Sequence, residues 1–177
     1  MQNYIALLRG VNVGGHRKIS IQELKTLLSK SGLENVQTYM QSGNVIFKTI
    51  DEDKRVLENK IQNLILTHFG FEIPVLVLLR SELEIIFNNC PFSDAKKEHS
   101  YFVILSDISN EKLIKEASEK RYIDDDYKIM NNCIYLFCSQ GYGKSKFNLS
   151  YFEKKLDVNA TARNYKTMVK LLSLSNI

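Results

Sequence analysis

Apolar and polar positions follow two periods along this chain, and the switches between them predict the elements. Tyr4 to Leu8 is a continuous apolar run that stops at Arg9-Gly10, the pattern of a buried strand ending in a glycine-rich loop. Ser20-Ile21-Gln22-Glu23 has the spacing of a capping box, and Ile21, Leu24, Leu27 and Leu28 then recur on one helical face up to about Ser31, before Gly32. Val36 to Met40 and Asn44 to Lys48 are β-prone runs parted by Gln41-Ser42-Gly43, a spacing that predicts a tight hairpin with glycine supplying a positive φ. Asp51 is placed to cap a second helix whose stripe is Leu57, Ile61, Leu64, Ile65 and Phe69, and Pro74 to Leu79 reads as another buried strand. The order is βαββαβ.

The same order returns. Ser81 to Glu84 opens a short connecting helix, and the stretch after it, with Pro91 and mixed charge, reads as a linker. Tyr101 to Leu105 is a strand and Asn110 to Lys120 a capped helix. Tyr127 to Met130 pairs with Cys133 to Cys138 across Asn131-Asn132, a favourable hairpin dipeptide. Phe147, Phe152 and Leu156 bury one face of the next helix, Ala160 to Arg163 forms a short strand, and Met168, Leu171 and Leu172 face inward from a terminal helix. The hairpin segments Tyr39 to Phe47 and Ile129 to Phe137 share a hydrophobic rhythm, which suggests internal duplication. Two hairpins with short turns demand antiparallel neighbours and argue against a doubly wound parallel sheet. The predicted fold is α+β: two tandem ferredoxin-like (βαββαβ) halves with mainly antiparallel sheets, residues 1–87 and 100–177, joined by a linker at 88–99.

Composition narrows the class. With 177 residues and 44% hydrophobic content the chain can bury one good core or two small ones. No apolar run approaches the roughly 20 residues needed to span a bilayer, and the N-terminus lacks a secretion signal, so no membrane partner is expected. Cys90, Cys133 and Cys138 are odd in number and include no C-x-x-C pair, which suits reduced thiols in a cytoplasmic protein. The net charge of +4 is mild but uneven: residues 1–30 carry five basic and one acidic residue, residues 141–177 seven and two, leaving −5 between. Such asymmetry either marks a surface for anions or reflects solvated lysine-rich helix faces.

Topology brings candidate residues together. In a βαββαβ plait the first two strands run the same way, so the loop from Arg9 through Asn12, Gly14 and Gly15 to Lys18 lies beside Ser42, Gly43 and Asn44 at one sheet edge. Glycines allow close backbone approach, and free amides at the start of the following helix favour an anion, with Arg9, Arg17 and Lys18 adding charge. In the second half the loop Ser139 to Lys146 shares an edge with the end of the fourth strand, which makes Ser145, Lys146, Arg163 and Asn164 neighbours. Gly141-Tyr142-Gly143-Lys144-Ser145 imitates a phosphate loop, but Cys138 stands where G-x-x-x-x-G-K-[ST] requires its first glycine. His16, His68 and His99 share no spacing with one another or with carboxylates, so neither a metal site nor a histidine base is indicated. Asp124-Asp125-Asp126 reads as a solvated turn before a strand. Tyr4, Phe47, Tyr135 and Phe137 form no RNA-binding aromatic pattern and read as core.

Three segments, Tyr4 to Gly15, Thr38 to Phe47 and Thr161 to Thr167, together resemble the bacterial domain-of-unknown-function family 1697 over essentially the whole chain. Gly143 to Lys146 followed by Leu149 and Leu156 is similar to that family's penultimate helix, while Tyr165 stands where the family often has tryptophan. The resemblance implies a two-subdomain protein of bacterial cytoplasm with no established biochemical activity. It singles out Arg9, Asn12, Gly14, Gly15, Ser42, Gly43, Asn44, Ser145, Lys146, Arg163 and Asn164.

The function these features predict is binding of an anionic ligand, a nucleotide or nucleic acid, by the basic and glycine-rich loops, with no cofactor and no metal. Two alternatives stand beside it. One is an enzyme acting on a small phosphorylated or carboxylated substrate, with Lys146 or Arg163 stabilising charge. The other is a protein-interaction module that uses exposed strand edges.

Overall fold

The structure is a computed structural model and describes residues 1–40, 43–50 and 53–176. Among these the chain is α+β, with two four-stranded antiparallel sheets and seven helices. It parts into two compact units, Met1–Glu84 with Lys170–Ile177, and Ile85–Val169.

The first unit holds strands β1 (Gln2–Leu8), β2 (Glu34–Tyr39), β3 (Asn44–Thr49) and β4 (Val75–Leu79) in the order β2-β3-β1-β4, every pair antiparallel. Helix α1 (Ile21–Lys30) starts where Ser20 Oγ accepts the Glu23 N–H at 3.3 Å. Helix α2 (Lys54–Phe69) starts at Asp53, whose carboxylate accepts from the Arg55 and Val56 N–H groups, and ends at Gly70 with φ +81°. The cap expected at Asp51 lies outside the described residues. Tyr4, Ala6 and Leu8 of β1, Val45 and Phe47 of β3, and Val75 and Val77 of β4 face one core with Leu24 and Leu28 of α1 and Leu57, Ile61 and Ile65 of α2. The intervening residues Ile5, Leu7, Ile46, Leu76 and Leu78 are buried as well, so these strands read as continuous apolar runs rather than alternating ones.

The second unit repeats the plan. Strands β5 (Ser100–Leu105), β6 (Asp125–Met130), β7 (Cys133–Cys138) and β8 (Ala160–Asn164) lie in the order β6-β7-β5-β8, again all antiparallel. Helices α5 (Glu111–Ala117) and α6 (Leu149–Leu156) cover one face around Val103, Leu105, Ile134, Phe152 and Leu156. Phe147 precedes α6 rather than lying in it, yet stacks on Phe152 at 4.7 Å. On the opposite face Phe87, from the end of α3 (Arg80–Asn88), stacks on Phe102 at 5.6 Å, and Tyr135 Oη donates to the Ile86 carbonyl at 2.8 Å.

Three local expectations change. The segment read as a linker contains a helical turn, α4 (Asp94–Lys97), because Ser93 can start it and Lys97 and Glu98 return N–H groups to Ser93 and Asp94. The terminal helix α7 (Tyr165–Leu174) ends with the first unit: Asn3 Nδ2 donates to the carbonyl of the buried Ser175 at 3.0 Å. Asp125 is not part of a solvated turn but the half-buried first residue of β6, paired with Cys138.

Candidate functional site

The first edge is built at the end of β1. The Leu8 N–H donates to the Gly43 carbonyl at 2.7 Å and the Arg9 N–H to the Pro74 carbonyl at 3.0 Å, so the loop leaves the sheet pinned on both sides. Gly43 is sterically required: its φ is +76°, and an added Cβ would sit 2.7 Å from Leu8 Cβ and 3.2 Å from the Leu8 carbonyl oxygen. Asn44, fully buried, donates from Nδ2 to the Tyr39 carbonyl at 3.0 Å and closes the β2–β3 turn. Ser42 lies outside the described residues.

Residues 11 to 19 form a miniature hairpin with two buried feet, Val11 and Ile19. The Asn12 N–H donates to the Arg17 carbonyl at 3.2 Å, the His16 N–H to the Val13 carbonyl at 3.1 Å, and Gly14 and Gly15 turn the tip with φ of +60° and +78°. Asn12 grips the far foot twice, Nδ2 donating to the Ile19 carbonyl at 3.0 Å and Oδ1 accepting its N–H at 2.9 Å. This leaves His16, Arg17 and Lys18 exposed, while Arg9 is half-buried at the base. Three non-glycine residues here adopt positive φ: Asn12 at 54°, Arg17 at 48° and Met40 at 58°. Each costs on the order of 1–2 kcal/mol unless its surroundings impose it. A cleft of about 450 Å³ opens between Asn12, Ile19, Ser20, Ile21, Thr38 and Met40, at the N-terminus of α1.

At the second edge Ser145, Arg163 and Asn164 each engage different partners. Ser145 follows a 3₁₀ turn, Tyr142–Lys144; its Oγ donates to Asp125 Oδ2 at 2.7 Å and accepts the Phe147 N–H at 2.9 Å. Its side chain is thus engaged in joining the loop to β6. The adjoining Cys138 thiol is pushed up to about 11, mainly by burial, with the Asp125 carboxylate adding to the rise and Ser145 opposing it. Lys146 is exposed. Arg163 Nη1 donates to Thr161 Oγ1 and the Ala162 carbonyl, both at 2.9 Å, and burial lowers its guanidinium to about 10, which leaves it cationic at neutral pH. Asn164 Oδ1 accepts the Thr167 N–H at 2.9 Å and caps α7.

Of these four, Asn164 alone lines the cleft of about 430 Å³ found at this edge, with Glu98, His99, Ser100, Tyr101, Phe137, Cys138, Ser139, Gly141, Tyr165 and Lys166. Sequence reading missed its aromatic members, and Phe137, taken as core, is half-buried in the cleft wall. The available signal was register: Tyr101 pairs with Asn164 and Ser100 with Phe137, which places three strand ends side by side. Among the described residues no three His, Cys, Asp or Glu side chains converge on a metal-sized site, and no helix is long and apolar enough to cross a membrane.

Residues 1–135 match the family described as protein of unknown function (DUF1697). The chain belongs to that family. The match spans the whole first edge of this DUF1697 chain and stops within β7, before the loop of the second edge. No curated protein matches. Among solved structures, the conserved bacterial protein SP0830 from Streptococcus pneumoniae is similar, at TM-score 0.77 and 25% identity over 99% of each chain.

Proposed function

We propose that this DUF1697 chain binds a phosphate-bearing ligand, a nucleotide or nucleic acid, at the loop edge of its first unit. What supports the reading is the concentration of backbone strain there. Asn12 and Met40, which line the cleft, and Arg17 on the adjoining loop all hold positive φ, and a chain keeps such conformations where its surroundings over-determine them, commonly at binding sites. Arg17 and Lys18 stand exposed on the same rigid loop, next to the N-terminus of a ten-residue helix whose dipole favours negative charge. The strand order and the paired helices of each unit fit a ferredoxin-like plait, in which this loop and the β2–β3 turn share an edge. Three free cysteines suit a reducing cytoplasm, where such ligands are abundant.

The experiment is equilibrium binding of single-stranded DNA, RNA and mononucleotides at about 50 and 200 mM salt, where phosphate contacts weaken steeply. Lys18→Gln is expected to weaken binding across sequences and, for a polynucleotide, to lower the salt slope by about one. No binding at either salt concentration refutes the reading.

A further inference from the structure

The cleft of the second unit offers a different chemistry from the first. We infer that it takes a nucleobase, in a nucleoside or an unpaired nucleotide, stacked against Tyr101. Its volume of about 430 Å³ falls within the range of small-molecule sites, roughly 300–1,000 Å³. Three aromatic residues line it from three elements: Tyr101 from β5, Phe137 from β7 and Tyr165 from the first turn of α7. The strand register sets Asn164 directly beside Tyr101 on one face of the sheet, while Phe137, opposite Ser100, lies at the same sheet end on the other face. Tyr101 is already backed by Tyr142, ring centroids 4.6 Å apart, so one face of the stack is formed before any ligand arrives.

Polar groups around the rings suit the edge of a heterocycle. Asn164 uses Oδ1 to cap α7 through the Thr167 N–H, which leaves its Nδ2 hydrogens for an acceptor on the base. The exposed Ser139 hydroxyl can donate or accept, and Lys166 supplies a cation at the rim. An aromatic ring with a few hydrogen-bonding groups beside it is how proteins hold splayed bases, and Tyr101 with Asn164 on the same sheet face supplies that pairing.

The test is calorimetric or NMR titration of the full chain with adenosine, guanosine, cytidine and uridine. These carry no phosphate, so the result is independent of the reading of the first unit. At least one nucleoside is expected to bind saturably, and ribose alone is not. Tyr101→Leu should weaken that binding about tenfold, the loss of one base–aromatic stack. Because Tyr101 sits on a central strand, Ser139→Trp provides a second variant: it changes an exposed loop position, fills the cleft and should abolish binding while the far-ultraviolet spectrum stays native. Absence of saturable binding up to about 10 mM, ribose binding as tightly as its nucleosides, or nucleoside binding that persists in both cleft variants would each overturn the inference.

Discussion

Asn12 holds Ile19 by two hydrogen bonds, at 3.0 and 2.9 Å, across the loop that carries His16, Arg17 and Lys18. The contact makes the exposed loop a fixed device rather than a free connection, because the buried Val11 and Ile19 anchor both feet and the asparagine sets the distance between them. Asparagine suits the position twice over: it accepts positive φ more readily than other side chains and offers both a donor and an acceptor. Asn12→Ala removes both bonds and keeps the strained backbone, so the first unit should lose about 2–4 kcal/mol in urea unfolding. Asn12→Gly, which relieves the strain, should lose less. Equal stability of both variants and the parent would contradict this role.

Gly43 and Gly15 separate steric need from conformational need. Both have positive φ, +76° and +78°, but a Cβ at Gly43 would strike Leu8 while one at Gly15 meets nothing within 4 Å. Gly15→Ala is expected to cost about 1–2 kcal/mol from backbone strain alone. Gly43→Ala adds overpacking of about 1–3 kcal/mol and should be clearly the more destabilising in parallel denaturation curves.

Thiol reactivity follows burial. Cys138 is pushed up to about 11 and Cys133 is raised well above its ordinary value, in each case chiefly by burial, whereas the half-buried Cys90 is raised but partly exposed. Thiolate is the reactive form, so alkylation of the native protein at pH 8 should label Cys90 first and spare the other two until denaturant is added. Labelling of Cys138 as fast as Cys90 would contradict the packing described around β7.

Tyr127 makes the second unit sensitive to alkali. Its hydroxyl lies 2.8 Å from both the Ala117 and Lys120 carbonyls, and burial above all pushes it from an ordinary value of 10 up to about 12. Unfolded tyrosine therefore releases its proton first, and the unfolded state binds fewer protons between these values. The stability that Tyr127 contributes is complete below about pH 10 and is lost as pH rises towards about 12. Tyr127→Phe should flatten that part of the pH dependence while costing roughly 1 kcal/mol at neutral pH for the lost hydrogen bond. An unchanged alkaline profile in the variant would assign the effect elsewhere.

The elements were largely legible because apolar spacing reports burial directly. Leu57, Ile61 and Ile65 recur at helical intervals and all are buried in α2, and Asn131, whose φ is 52°, turns the β6–β7 hairpin as its dipeptide suggests. What escaped depends on partners distant in sequence. Asp125 looked like a solvated acid until the loop after β7 brought Ser145 back to it. Helix α4 was hidden by Pro91 and by charges that read as linker. At the start of β2 a register shift between Glu34 and Gln37, with Asn35 at φ 50°, has no periodic signature. The candidate loop residues were found by strand direction, but direction alone does not say which side chains are engaged: Asn12, Gly43 and Asn44 build the first edge, and Ser145 is tied into β6. Tyr101, Phe137 and Tyr165 share no signal in sequence, and only the pairing of β5 with β7 and β8 brings these residues to one sheet end.

The most direct test of phosphate binding at the first edge is a titration of isotope-labelled protein with a mononucleotide and a short single-stranded oligonucleotide, following backbone amide shifts at about 50 mM salt. The account predicts saturable shifts concentrated on residues 12–21 and 38–44, reduced together in Lys18→Gln. Saturable binding that leaves those amides unmoved, or no binding at all, would contradict it.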